Sequence, residues 1–133
     1  MRDNPIQFAV VREDPQLEWL VMRDRPHERM MLIGSGGCTA LTLQALAPET
    51  VFILVEPNLS QIDLIQRKMK ALMELDVGAR HEAFDVLPAG KTRPVGHRWA
   101  GLCQCGNFES LFRGLRLFLE EFVWPREEIE AFL

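Results

Sequence analysis

Hydrophobic residues along this chain fall into short continuous runs and helical stripes, which glycine, proline and charged residues separate. Continuous apolar runs predict two strands, at 30–33 and at 51–55. Between them, apolar residues at helical spacing predict a helix over 38–46, which ends before Pro48. Continuous apolar strands are typical of a parallel sheet that helices cover on both faces. We therefore expect a strand–helix–strand unit in a parallel sheet.

The residues before the first of these strands predict smaller elements. Residues 6–11 have the composition of a strand, and Arg12-Glu13-Asp14-Pro15 marks a turn, because the residue before a proline avoids helical conformation. A short helix over 16–22 is predicted to turn its apolar side chains inward: Leu17, Leu20 and Val21.

A longer helix follows the second strand. Ser60 and Asp63 have the spacing of a capping box and predict its beginning. Gly78 predicts its end. Its predicted buried face consists of apolar residues at helical spacing: Ile62, Ile65, Met69, Leu72 and Leu75.

The last third of the chain predicts a strand, a loop and a helix. We expect a third strand over 80–85, with Asp85 at its end, and a proline- and glycine-rich loop over 88–107. From 108 to Pro125 the apolar residues share one helical face: Leu111, Phe112, Leu115, Leu119 and Phe122. We expect this face to pack in the core, since its charges are mixed, with peripheral membrane contact as the alternative.

These elements divide the chain into four segments. We expect an N-terminal leader over 1–29, a βαβα core over 30–87, a loop over 88–107 and a C-terminal helical segment over 108–133. A sheet of three or four strands leaves open edges, so we also expect a second copy or a missing C-terminal portion to cover them.

Composition restricts the function. At 133 residues, with 47% hydrophobic residues, the chain has room for one domain. The formal net charge is −4 and the basic residues are scattered, which argues against nucleic-acid binding. No run reaches the roughly 18 apolar residues of a membrane span, and the N-terminus does not resemble a signal peptide. We expect a cytoplasmic protein.

The three cysteines do not predict a disulfide framework or a metal site. Cys38, Cys103 and Cys105 are too few for such a framework, which suits a reducing compartment. The Cys-Gln-Cys pair has neither a second pair nor a neighbouring histidine, so we expect no metal.

The strongest chemical signal lies where the first strand gives way to glycines. Gly34-Ser35-Gly36-Gly37 joins this strand to the next helix, and Glu56 closes the second strand eighteen residues after Cys38. Small residues let the backbone approach a ligand, and the N–H groups of the following helix suit a phosphate or carboxylate. An acid at the end of the second strand is placed to hold a ribose. The pattern predicts a nucleotide-type cofactor site.

Several further segments carry a resemblance. Glu13-Asp14-Pro15, the glycine segment, Glu56-Pro57-Asn58 with Gln61, and Phe108-Glu109 follow one another in a characteristic order. In that order and spacing the chain resembles the S-adenosylmethionine:diacylglycerol 3-amino-3-carboxypropyl transferases, which begin betaine-lipid synthesis. Three departures stand beside the likeness: the family has acid-Asn-Pro, a Trp in place of Arg12, and a much longer chain.

The resemblance implies a fold, a cofactor and a reaction. The fold would be a Rossmann-like three-layer sandwich with an incomplete parallel sheet, and the cofactor S-adenosylmethionine. The reaction would transfer the 3-amino-3-carboxypropyl group to a lipid or other small-molecule acceptor. A methyltransferase and a cofactor-binding module without activity remain alternatives. The expected cofactor-binding residues are Gly34, Ser35, Gly36, Gly37, Glu56, Asn58, Gln61 and Asp85.

A catalytic residue is not identified by the sequence. His27, His81 and His97 are scattered, and Glu13 and Asp14 suit the cap of a short helix as well as a substrate site. Lys68 matches a lysine of the family's helix, but we expect it to be an ordinary surface lysine.

Overall fold

The computed structural model describes residues 5–10, 14–24, 29–86, 101–124 and 127–128. These residues form a mixed α/β fold with a two-stranded parallel sheet and five helices. In chain order the elements are α1 (Gln16–Asp24), β1 (Arg29–Ile33), α2 (Cys38–Leu46), β2 (Val51–Val55), α3 (Leu59–Glu74), α4 (Val77–Phe84) and α5 (Asn107–Phe122).

The sheet confirms the predicted strand–helix–strand unit. β1 and β2 pair in parallel, from Arg29 opposite Val51 to Ile33 opposite Val55. α2 crosses between them, as a parallel connection requires. Both strands therefore end at one edge of the sheet, where the glycine segment follows β1 and Glu56 follows β2.

Among the described residues, no element covers one face of this sheet, here called the open face, contrary to the expectation that helices cover both faces. Along each strand half-buried residues alternate with exposed ones. Ile33 exposes 82% of its surface. A continuous apolar run does not reveal which faces are covered, because burial depends on other elements. The exposed apolar side chains of this face are Met31, Ile33, Val51, Ile53 and Val55.

Helix α1 confirms the predicted helix but not its predicted buried face. Its contacts are with α2, and Met22 is its buried residue. The three side chains predicted to point inward are exposed instead: Leu17, Leu20 and Val21. Five of the nine residues are apolar and they lie on more than one side of the helix, so the sequence did not define which side meets α2.

Helix α3 begins with a different cap from the one predicted. The Asn58 side chain accepts a hydrogen bond from the Ser60 N–H at 3.0 Å, so Asn58 is the cap and Ser60 lies inside the helix. Met69 and Leu72 are exposed, which corrects the predicted face. The buried stripe is Gln61, Leu64, Ile65, Lys68 and Ala71.

Residues 80–85 are not a strand. Asp76 accepts a hydrogen bond from the Ala79 N–H at 2.9 Å and begins α4, so that Gly78 lies within this helix and is not the stop of α3. Asp85 follows α4 in the left-handed conformation, with φ 54°. The aspartate cap supports a helix where the charged sequence had no clear period.

The predicted N-terminal strand does not form a ladder over the described residues 6–10, and Val11 lies outside the description. At the other end, α5 begins at Asn107, one residue before the predicted start. The segments 88–100 and 129–133 and Pro125 also lie outside the described residues. The apolar face of α5 was expected to pack, but several of its side chains are exposed: Leu111, Phe112, Leu115 and Phe122.

The interior of the described chain contains polar as well as apolar side chains. The buried apolar residues are Ala9, Met22, Ala40, Leu43, Leu64, Ile65 and Ala71. Gln61, Lys68 and Glu109 are buried as well. These three come together at the edge where the strands end.

Candidate functional site

The glycine loop, defined as Gly34–Gly37, lies against the acid that follows the neighbouring strand. The Gly34 N–H donates to the Val55 carbonyl at 3.0 Å, which extends the β1–β2 pairing by one residue. The Ser35 N–H donates to Glu56 Oε2 at 2.9 Å, and the Asn58 N–H donates to Oε1 at 2.9 Å. Two backbone donors thus orient the Glu56 carboxylate at the loop.

The glycines of this loop are needed by the packing of the protein itself. A Cβ on Gly34 would lie 2.7 Å from the Glu56 Cβ. Gly37 has φ +79°, and a Cβ there would lie 2.7 Å from Ile65 Cγ1. A Cβ on Gly36 would lie 3.0 Å from the carbonyl oxygen of Ala9. Ser35 and Glu56 are half-buried at this edge.

Residues 6–10, here called the strap, cross the glycine loop without forming a strand and bend at Ala9 and Val10. Gln61 holds the strap from α3: its Oε1 accepts from the Gln7 N–H at 2.8 Å and from the Phe8 N–H at 3.3 Å. Its Nε2 donates to the Phe8 carbonyl at 3.0 Å and to the Ser35 carbonyl at 2.6 Å. One buried amide therefore joins the strap to the loop.

Lys68 forms a second connection, two helical turns further along α3. The side chain is 1% exposed, which overturns the expectation of a surface lysine. Its ammonium donates to the Ala9 carbonyl, and to the Gly36 carbonyl at 2.7 Å. It also lies 3.4 Å from Cys38 Sγ. Lys68 thus connects the strap to the glycine loop and to the first residue of α2.

Glu109 holds the strap from its opposite side. Its Oε2 accepts from the Ala9 N–H at 2.8 Å, and its Oε1 from the Val10 N–H at 3.2 Å. The carboxylate lies in the first turn of α5, where the helix dipole favours a negative charge. The Asn107 N–H in turn donates to the Ile6 carbonyl at 2.9 Å. Strap and helix therefore satisfy each other's backbone groups.

Three segments that are remote in sequence meet at Ala9. From the Ile6 carbonyl to the Val10 N–H, every backbone polar group of the strap has a partner. This satisfies the requirement that buried backbone groups be hydrogen-bonded. The Lys68 ammonium donates to the Ala9 carbonyl, and the Glu109 carboxylate accepts from the Ala9 N–H. Two opposite charges therefore meet the backbone of this residue. Around Ala9 the junction is polar and buried, and its hydrogen-bonding groups are paired within the protein.

Most of the residues predicted to bind a cofactor lie together. The glycine loop, Glu56, Asn58 and Gln61 all lie at the edge where β1 and β2 end. All four hydrogen-bonding positions of the Gln61 amide are engaged by the protein, so we assign this residue to the strap and not to ligand contact. The Asn58 side chain caps α3 and donates to the Pro5 carbonyl at 3.0 Å.

Asp85 does not join this group. It follows α4, and Gly101 packs so closely on it that a Cβ there would lie 2.8 Å from the Asp85 Cβ. The prediction depended on a third parallel strand over 80–85, which the structure replaces with a helix. Glu13, His27 and His97 lie outside the described residues.

The cysteines are found close to the buried lysine. Burial raises the pKa of the Cys103 thiol above its ordinary value, and the positive charge of Lys68 opposes that shift. The charges of Cys38, Cys105 and Glu109 add to the increase. Within the described ranges, no group of three or more metal-binding side chains is placed to hold an ion.

The strap, Lys68 and Glu109 were not predicted as parts of the site. For Lys68 a signal was present: Gln61, Leu64 and Lys68 recur at the spacing of one helical face. Polar residues that share a helical face with apolar ones indicate a buried hydrogen-bonding role. The partners of the strap lie more than fifty residues away, so nothing local to 6–10 could identify them.

Two wider features of the described chain bear on ligands. A pocket of about 270 Å³ lies away from the glycine loop, beside α4, lined by Val77, Arg80, His81, Phe84 and Val86. This pocket is open and mainly apolar, and none of these lining residues belongs to the glycine loop. In the part of the chain that the structure describes, no helix combines the length and the apolar character needed to cross a membrane.

No protein-family model, curated protein or solved structure matches this chain. Its function is therefore inferred from the geometry above and from the sequence resemblance.

Proposed function

We propose that the chain binds S-adenosylmethionine where β1 and β2 end, and that it acts as a transferase on this cofactor. In this proposal β1, α2 and β2 are the first unit of a Rossmann-like three-layer fold. The observation that carries it is the contact between Glu56 and the glycine loop, at 2.9 Å from the Ser35 N–H. Ligands of open parallel α/β sheets bind at this edge.

The chemistry of Glu56 suits the two hydroxyls of a ribose. Each carboxylate oxygen accepts one backbone N–H, and each retains a further lone pair for a hydroxyl donor. The side chain is half-buried, so it is accessible from one side. Because backbone N–H groups hold both oxygens, little side-chain entropy remains to be lost when a ligand binds.

Transfer follows from the electrophilic sulfonium of the cofactor. In the proposed reaction, the hydroxyl oxygen of a small-molecule or lipid acceptor attacks the γ-carbon of the aminocarboxypropyl arm. The carbon–sulfur bond breaks, methylthioadenosine leaves with the bonding electron pair, and the hydroxyl proton passes to a base. The arm that faces the acceptor at about 3–3.5 Å determines the product.

Cofactor binding is tested by calorimetric titration of the full chain with S-adenosylmethionine. Glu56→Gln keeps the size of the side chain but places an amide N–H₂ against a backbone N–H. We expect it to weaken binding about tenfold or more. Glu49→Gln changes an exposed acid just before β2 and should leave binding unchanged. An unaltered protein that releases no heat and shows no binding would contradict both transferase candidates.

The reaction is tested by chromatography of the products. Methylthioadenosine supports aminocarboxypropyl transfer, whereas S-adenosylhomocysteine identifies a methyltransferase. Binding without either product, across alcohol and amine acceptors, supports a cofactor-binding module instead.

A further inference from the structure

We infer that Gln61 and Lys68 are positioning residues of the proposed cofactor site, and that the strap they hold is a structural part of that site. The inference rests on the proposed function, since the glycine loop is the cofactor-binding element. Its basis is that both buried side chains bind carbonyls of the strap and of the loop at the same time.

The two side chains contact successive peptide groups of the loop. Gln61 binds the Ser35 carbonyl and Lys68 binds the Gly36 carbonyl. Because a trans peptide is planar, its N–H points opposite to its carbonyl. Holding these carbonyls toward α3 therefore turns the N–H groups of the same peptides away from α3. The Gly37 N–H follows this geometry and donates back to the Gly34 carbonyl at 2.9 Å.

The bonding of Lys68 indicates positioning and not charge pairing. Its ammonium has three N–H donors, and three acceptors surround it: Ala9 O, Gly36 O and Cys38 Sγ. None of the described carboxylates forms an ion pair with it. A buried ammonium is costly unless it is fully hydrogen-bonded, so its partners are held firmly in place.

A loop with three glycines needs such restraint. Glycine has more accessible backbone conformations than any other residue, so an unrestrained loop would lose considerable entropy on binding. Restraint by α3 and the strap removes that loss before the ligand arrives. The loop is thus preorganised by residues 6–10, although these residues belong to neither the strand nor the helix that it joins.

The test combines amide hydrogen exchange and calorimetry on the full chain, with matched variants on α3. Lys68→Met is compared with Lys70→Met, and Gln61→Met with Gln66→Met, because Lys70 and Gln66 are exposed on the same helix. For Lys68→Met and Gln61→Met, we expect amide exchange at 7–10 and 34–38 to be about tenfold faster. This factor corresponds to the loss of one charge-assisted or buried hydrogen bond. Affinity for S-adenosylmethionine should fall by a similar factor. The control variants should change neither quantity.

A merely structural role would give a different exchange pattern. General destabilisation would accelerate exchange in the β1–β2 ladder and in α3 as well, whereas loss of positioning leaves those amides protected. If Lys68→Met does not fold, Gln61→Met decides the question, since it removes the amide bridge and leaves the ammonium in place. Folded variants with unchanged exchange and unchanged affinity would overturn the inference.

Failure of the positioning role can be distinguished from failure of the proposed function. If the unaltered protein does not bind S-adenosylmethionine, the proposed function fails. The exchange measurement still decides whether Gln61 and Lys68 hold the loop.

Discussion

At the junction around Ala9 the buried side chains are a lysine, a glutamine and a glutamate, whereas on the open face of the sheet methionine, valine and isoleucine are exposed. The polar side chains are buried because each meets backbone groups that need partners. The apolar side chains are exposed because no described element covers that face. Burial in this chain therefore depends on which elements pack together, and not on the polarity of each residue alone.

The largest expected effect concerns close packing at the junction. A Cβ on Gly106 would lie 2.6 Å from the Ala9 nitrogen and would also meet Glu109 Oε2, so Gly106→Ala must displace backbone. We expect a loss of about 3 kcal/mol in the free energy of unfolding. Denaturant unfolding measures this loss.

Gly114 provides the matched control on α5. An added Cβ there meets nothing within 4 Å, so Gly114→Ala should stabilise the helix by about 0.5–1 kcal/mol. Equal effects of the two substitutions would show that the junction is not tightly packed.

A smaller loss is expected from the charge that holds the strap. Glu109→Gln replaces one acceptor oxygen with an N–H₂ that faces a backbone N–H, either of Ala9 or of Val10. The cost should be about 2 kcal/mol, because a buried donor loses a charged partner. Glu121→Gln, at an exposed position of the same helix, should cost less than about 0.5 kcal/mol. Thermal or denaturant unfolding of the two variants measures the difference.

The smallest effect on stability is expected at the open face. At concentrations low enough for the chain to be monomeric, Ile53→Thr should cost less than about 0.5 kcal/mol, because its side chain is exposed and threonine suits a strand. Leu54→Thr changes the neighbouring residue on the half-buried face and should cost at least about 1 kcal/mol. Similar costs for both at that dilution would show that another part of the same chain covers the face.

The same pair of variants examines self-association. We propose that a second copy covers the open face, since exposed apolar patches of this kind mark interfaces. Light scattering should then give a dimer for the unaltered protein and a smaller mass for Ile53→Thr. A monomer at all concentrations would contradict a homodimer and favour a different covering segment.

The helices and strands were predictable where the local hydrophobic pattern alone specified them. The runs at 30–33 and 51–55 and the stripe between them identified β1, β2 and α2, because their hydrophobic pattern is strong over several residues. Residues 80–85 were predicted wrongly, because the cap that begins α4 is Asp76, four residues before the segment. The faces of α1 and α3 also differed from prediction, since the neighbours that cover them are remote in sequence.

One part of the candidate site, the glycine loop with Glu56, was predictable from the sequence. Gly34–Gly37 after one strand and Glu56 after the next had to approach each other once the strands paired in parallel. The second part was not predictable, because Ala9 meets Lys68 and Glu109 across separations of 59 and 100 residues.

By itself, the sequence determined the strand–helix–strand unit and the approach of Glu56 to the glycine loop, since both follow from local hydrophobic periodicity and parallel pairing. Only the tertiary structure decided that the strap crosses that loop, that Lys68 is buried, and that one sheet face is open. Those features depend on which remote segments supply hydrogen-bond partners or cover, and a buried polar group is stable only when all of its partners are in place.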